Sequence, residues 1–247
     1  MDVRSYLDAT YLKTPDQAGI SVEENNNFVT QFVNECIENR FKLVMIRPDQ
    51  VARARKQIDQ AQSNVLIGTV IGFPEGTYTI DEKLAEAAQA VEAGADELDF
   101  VCNYMAFKNG NLGLVKEEIA ACTQFTLSKH KTVKWIIEIA ALTNDEIMRI
   151  SALIKNVVMD VCKESDYPRV FVKSSTGFFV TDNGKPNGAT REGIILMLEN
   201  ASPLPIKAAG GVRNFEEAIE MIKLGVSRIG TSAAKAIIDG ETSTDLY

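Results

Sequence analysis

A chain of 247 residues with a formal net charge of -8 is long enough for one large α/β domain. It carries no dense basic stripe to neutralise a phosphate backbone, which argues against nucleic acid as a partner. The four cysteines, Cys36, Cys102, Cys122 and Cys162, form no CxxC pair and His130 stands alone, so neither a disulfide framework, nor a zinc site, nor a His-based catalytic metal is suggested.

Short apolar, β-branched runs alternate along the chain with segments of helical period. The first run is YLDAT (6 to 10). From Ser21 an amphipathic helix follows, with Phe28, Phe32, Val33, Cys36 and Ile37 at three- and four-residue spacing, and Ser21 with Glu24 reads as a capping box. The runs FKLVMI, NVLIGTVIGF and DELDFVC come next, Gly94 closing a helix before the last of them. His130 follows Ser128 and Lys129 at the expected end of a helix, where a solvated role is the natural one. TVKWIIEIA, RVFVKSS, LPIKAA and SRIGTS complete the set, with Gly225 closing the helix before SRIGTS. Eight strands alternating with helices predict an α/β fold of the (β/α)8 TIM-barrel type, one domain spanning 1–247 with a short tail from about 240; a doubly wound sheet is the rival. The N-terminus has no basic region followed by an apolar run, and no segment offers the ~20 apolar residues of a membrane span. A cytoplasmic location without a membrane partner is expected.

In such a barrel, chemistry sits at the C-terminal ends of the strands. Strand side chains alternate faces. If Trp135 and Ile137 pack on the helices, Lys134, Ile136 and Glu138 point inward. The same parity sends Leu98 and Phe100 out and Glu97 and Asp99 in, Val170 and Val172 out and Lys173 in, Ile206 out and Lys207 in. Burying an ammonium is costly unless it is paired or deprotonated, so these charges are expected to compensate one another. Two lysines near the ends of adjacent strands also suggest a chemistry. Like charge and desolvation both disfavour protonation. A lysine of pKa ~10.4 brought down by ~3 units becomes about half neutral amine near pH 7, able to attack an aldehyde and form a Schiff base. Asp99 is then a candidate for proton transfer at the substrate hydroxyl. On parity alone, a charge-balanced interior without catalysis explains the pattern equally well.

The stretch KAAGGVRNFEEA puts Gly210 and Gly211 between the seventh strand and a helix opened by Asn214 and Glu217, and RIGTS puts Gly230, Thr231 and Ser232 at the mouth of the eighth. Glycines let backbone N–H groups approach an anion, and loops after these two strands often hold phosphate in this fold. A phosphorylated substrate is the expectation.

The motifs GTVIGFPEG (68 to 76), EAGADELDFV (92 to 101), VKWIIEIAAL (133 to 142), FVKSSTGF (171 to 178), IKAAGGVRN (206 to 214) and RIGTS (228 to 232), in this order, resemble the deoxyribose-phosphate aldolase family over most of the chain. The resemblance implies reversible, metal-free and cofactor-free cleavage of 2-deoxy-D-ribose 5-phosphate to glyceraldehyde 3-phosphate and acetaldehyde in deoxyribonucleoside catabolism. It implies that Lys173 forms the Schiff base, Lys207 tunes its pKa and relays protons, and Asp99 assists proton transfer. Thr176, Gly177, Gly210, Gly211, Gly230 and Ser232 match positions near the substrate or its phosphate, as do Asp8 and Thr10 of the first strand. Tyr247 matches a terminal tyrosine that approaches the site in some relatives, and members are often dimers or tetramers. The sequence departs from the family at Met45, where a cysteine is common, at Glu75 in the GFP turn, and at Ala233 after Ser232; EIAAL also lacks the threonine that commonly follows the glutamate. A related lysine-dependent aldolase on another phosphorylated sugar, and a catalytically silent sugar-phosphate-binding barrel, are the competing readings.

Overall fold

The computed structural model describes residues 2–182 and 186–243. Eight strands, β1 (Leu7–Thr10), β2 (Leu43–Ile46), β3 (Leu66–Ile71), β4 (Glu97–Val101), β5 (Thr132–Ile136), β6 (Val170–Lys173), β7 (Ile206–Ala209) and β8 (Arg228–Thr231), pair in parallel and in sequence order, and β8 closes on β1. The doubly wound alternative is thereby excluded. The helices are α1 (Pro15–Ala18), α2 (Val22–Asn39), α3 (Val51–Gln60), α4 (Ile80–Glu92), α5 (Tyr104–Lys108), α6 (Leu112–Ser128), α7 (Asn144–Val161), α8 (Arg191–Ala201), α9 (Phe215–Leu224) and α10 (Ala234–Asp239). Each sits in a crossover between parallel strands, except α10, which follows the last one.

Local sequence sets the helix ends. The Ser21 hydroxyl accepts from the Glu24 N–H while the Glu24 carboxylate accepts from the Ser21 N–H, and Thr14 with Gln17, Thr79 with Glu82 and Thr143 with Glu146 repeat the arrangement. Gly225 ends α9 in the left-handed conformation at φ 111°. His130 is exposed just beyond α6. Cys36, Cys102 and Cys122 are buried and Cys162 half-buried, all as free thiols. Among the described residues, no helix is long and apolar enough to cross a membrane, and no cluster of His, Cys, Asp and Glu could hold a metal ion.

The strand parity holds. Phe100 and Trp135 turn outward with ring centroids 5.3 Å apart, and the indole N–H donates to the Thr123 hydroxyl on α6 at 3.0 Å. Inside, Met45 needs the bare face of Gly68 on the next strand, where a Cβ would lie 2.5 Å from its methyl carbon. The register sets Asp99 beside Lys134 and Lys173 directly beside Lys207.

Candidate active site

Strand ends deliver a continuous charge network into the barrel. Asp99 on β4 accepts from Lys134 (Oδ1, 2.7 Å), Lys173 (Oδ2, 2.9 Å) and Lys207 (Oδ2, 2.9 Å). Lys207 also pairs with Asp8 Oδ2 at 2.7 Å, Lys134 with Glu97 at 2.5 Å, and Arg228 bridges Asp8 to Glu97. Lys173 is 3 % exposed, while Asp8, Asp99, Lys134 and Lys207 are fully sealed. The two lysines that the register places side by side thus share one carboxylate oxygen.

Their environments drive them apart. Burial, with the positive fields of Lys207 and Lys134, outweighs the attraction of Asp99 and lowers Lys173 to about 8. Burial also works against a charge on Lys207, but Asp8 and Asp99 outweigh it and raise its pKa. Burial alone would raise Asp99; the ammonium groups of Lys134, Lys173 and Lys207 instead hold it well below the ordinary carboxylate range. Asp8 is likewise held down by Arg228 and Lys207 against its burial. One lysine is therefore poised to lose its proton close to neutrality while its neighbour keeps one, and an ionised carboxylate lies between them at rest. An amine in that state can attack a carbonyl, and Asp99 can accept a proton.

Beyond β6 the chain carries Ser174, Ser175, Thr176 and Gly177 along the mouth, Gly177 with φ 83°. The Thr176 N–H and hydroxyl both donate to the Glu138 carboxylate. The Asn187 amide donates to the Gly177 carbonyl at 3.1 Å, and Ala189 N–H donates to Ala209 O at 3.0 Å, which ties this segment to the end of β7. Gly210 and Gly211 both have positive φ, and Gly210 lies so close to Gly188 that a Cβ would come within 2.8 Å of its Cα. Asn214 caps α9 by accepting from Glu217 N–H at 2.9 Å, directly after this turn. Thr10, Phe178 and Ser232 line a cavity of about 420 Å³ that opens toward Tyr11, Phe28 and Phe32. Arg47, at the exit of β2, lies 4.9 Å from the ring centroid of Phe73, which meets Phe178 edge-on at 5.1 Å.

The structure thus brings Lys173, Lys207 and Asp99 into direct contact and gathers Thr176, Gly177, Gly210, Gly211 and Ser232 on the same end of the barrel. It places Asp8 in the sealed network rather than at the mouth. Thr10 donates to the Asp8 carbonyl at 2.9 Å and reaches the cavity edge. Gly230 belongs to a strand, where a Cβ would sit 3.0 Å from Lys207 Cε, so its smallness makes room for that side chain. Tyr247 and the last residues of the tail lie outside the described residues. Arg228 is the member that sequence reasoning passed over, although the parity of RIGT sends it inward with Gly230 whenever Ile229 faces out.

The chain matches the model of the family described as DeoC/LacD family aldolase over residues 6–238. It is 37% identical over 248 residues to a deoxyribose-phosphate aldolase of Lactococcus lactis, covering 100% of both chains. It is 35% identical over 246 residues to one of Thermococcus gammatolerans, covering 99% of each. A crystal structure of a putative deoxyribose-phosphate aldolase from Coccidioides immitis superimposes with a TM-score of 0.80 at 31% identity, covering 97% of this chain and 86% of that one.

Proposed function

From the premise that this chain belongs to the DeoC/LacD family of aldolases, we propose that it cleaves 2-deoxy-D-ribose 5-phosphate reversibly to D-glyceraldehyde 3-phosphate and acetaldehyde, through an imine on Lys173. The observation that carries the reading is the division of labour between two adjacent lysines: Lys173, buried and lowered to about 8, shares the Asp99 Oδ2 atom with a Lys207 whose pKa is raised.

The neutral Lys173 amine attacks C1 of the open-chain aldehyde, and loss of water gives a protonated imine. A proton leaves the C3 hydroxyl to the ionised Asp99, directly or through one water, the C2–C3 bond breaks, and its electrons pass into the imine to give an enamine. Glyceraldehyde 3-phosphate departs; the proton taken up by Asp99 passes to C2, directly or through one water, and hydrolysis of the imine then releases acetaldehyde and the free amine. Lys207 keeps its positive charge throughout, which opposes protonation of Lys173 and holds Asp99 ionised. The phosphate is assigned to the loops after β6, β7 and β8, through the backbone at Gly177, Gly210 and Gly211 and the hydroxyl of Ser232, with Thr176 beside the sugar. The physiological setting assigned is deoxyribonucleoside breakdown.

Borohydride reduction in the presence of acetaldehyde or deoxyribose 5-phosphate, followed by peptide mass mapping, tests the reading. A stable adduct on Lys173 is expected, and Lys173→Arg, which cannot form the imine, is expected to abolish both adduct and turnover. A folded, substrate-binding protein that yields no adduct on Lys173 would remove the assignment.

A further inference from the structure

Imine formation requires an acid as well as an amine, because the hydroxyl of the carbinolamine must leave as water. The ion-paired network supplies bases and permanent charges: Asp99 has both oxygens engaged by ammonium groups, and Lys207 is held between two carboxylates. Among the described residues, one other carboxyl reaches this region. Glu138 is 1 % exposed and adopts a left-handed backbone at φ 57°, rare for a residue with a side chain, two residues after β5 has ended at Ile136. Hydrogen bonds on either side hold that turn against the Lys173 strand, Ile137 N–H to Lys173 O at 3.0 Å and Ile139 N–H to Ser174 O at 2.9 Å. Its Oε2 atom accepts from the Thr176 N–H and hydroxyl, while Oε1 is buried without a hydrogen-bond partner.

We propose that Glu138 is a further acid–base residue of the imine-forming step, delivering a proton through Oε1 to the hydroxyl that leaves the carbinolamine on Lys173. The inference rests on the assignment of the imine to Lys173. In this step the nitrogen lone pair forms the C=N bond, the C–O bond breaks, and the Glu138 proton goes with the departing oxygen as water, leaving a carboxylate and an iminium. In hydrolysis the attacking water returns a proton to Glu138, so the cycle closes without another reactant. Charge counting agrees with this pairing. Among the described residues, the bases Lys134, Lys173, Lys207 and Arg228 are ion-paired to three carboxylates, Asp8, Glu97 and Asp99, and Glu138, which feels the attraction of Lys173 without pairing to it, is the fourth. Moving one proton from Lys173 to Glu138 creates nucleophile and acid together at no cost in net charge.

The surroundings of Glu138 suit the task. Burial raises its pKa, against the hydrogen bonds from Thr176 and the attraction of Lys173. Tyr104 of α5 also faces it, with Glu75 acting on the same phenol, and Ser175, whose buried hydroxyl has no well-formed hydrogen bond, lies beside the carboxyl. Lys108 of α5 is directed to the Ala141 carbonyl on the outer side of the turn.

The test is the pH dependence of imine formation with acetaldehyde, followed by borohydride trapping in single-turnover experiments on the parent, Glu138→Gln and Glu138→Asp. In the parent, two dependences multiply: a rise as Lys173 loses its proton near pH 8, and a fall as Glu138 loses its own. Glu138→Gln is expected to slow trapping about 100-fold, the lower range for a lost general acid, and to lose the falling limb. Glu138→Asp keeps a falling limb, moved to the pKa of the new carboxyl. A Gln variant that traps as fast as the parent, or one slowed by the same factor at every pH, overturns the proposal, since a purely structural role would leave the profile unchanged in shape. Should the Gln variant not fold, an unmoved limb in Glu138→Asp overturns it equally. Absence of any Lys173 adduct in the parent is a different failure, that of the lysine assignment itself.

Discussion

Lys173 owes its state to what surrounds it, and Lys207 is the neighbour whose removal reads out most directly. The neutral amine is the reactive form, so kcat/KM rises with pH through the Lys173 pKa near 8. Replacing Lys207 with Met deletes a positive field and frees Asp99 to pair more closely with Lys173, and both changes favour the ammonium. The rising limb of Lys207→Met therefore shifts to higher pH, and activity at pH 7 falls by about tenfold for each unit of that shift, as the neutral fraction of Lys173 falls. A pH–rate profile from 6 to about 10 checks this; a limb left in place, or moved down, would show that Lys207 does not set the nucleophile. The pair itself was legible from alternation along VFVKSS and PIKAA. Its asymmetry was not, because Asp8 does most to raise Lys207, and Asp8 reaches that lysine only through closure of β8 on β1, where it also meets Arg228, 220 positions away in sequence. Asp8 was accordingly expected near the substrate and proves to be the counter-ion of Lys207. Continued parity also sent Glu138 inward along β5, whereas the strand stops two residues earlier and a left-handed turn brings the side chain to the Thr176 loop.

At the scale of elements, the strands and their order were readable because β-branched runs of period two alternate with capped amphipathic segments. Less readable was the ion pair that fixes the loop between β3 and α4. Lys83, on α4, is sealed from solvent, pairs with Glu118 of α6, and donates to Gly76 O and Val101 O at 2.7 Å each. Gly72 is left without a side chain where a Cβ would press within 2.7 Å of the Lys83 stem. In sequence Lys83 reads as one more polar residue on a helix; only the packing of α4 on α6 turns it inward. Since Phe73 in this loop meets Phe178 beyond β6, the pair supports the mouth of the barrel from behind. Lys83→Met leaves Glu118 buried without its cation and is expected to cost about 3–5 kcal/mol, the usual penalty for breaking a buried pair from one side. In the Lys83→Met, Glu118→Leu double variant much of that loss is expected to return, because no unpaired charge remains. Urea unfolding of the cycle decides the matter: additive losses would mean that the two side chains do not act as a unit.

For the whole molecule, the reactive amine is a burden on stability. An unfolded chain binds the Lys173 proton with an ordinary lysine pKa of 10.5, whereas the folded barrel binds it only to about 8. The unfolded state therefore holds more protons between these values, and stability rises with pH across that window. The penalty is complete below about pH 8 and fades by about 10.5, and its size, 2.5 pKa steps, corresponds to ~3 kcal/mol. That is a large fraction of the 5–15 kcal/mol typical of a whole domain. Lys173→Met removes the titration while filling the same space, and Asp99 keeps Lys134 and Lys207 as partners. The inactive variant should accordingly be more stable than the parent by about 3 kcal/mol at pH 7. The gap should narrow steadily from pH 8 toward 10.5. Denaturant titrations of the two proteins at pH 7, 9 and about 10.5 measure it directly. A variant no more stable at neutral pH, or a gap that widens with alkali, would mean that Lys173 rests as a comfortable ammonium, with the barrel interior arranged to hold its charge rather than to release it.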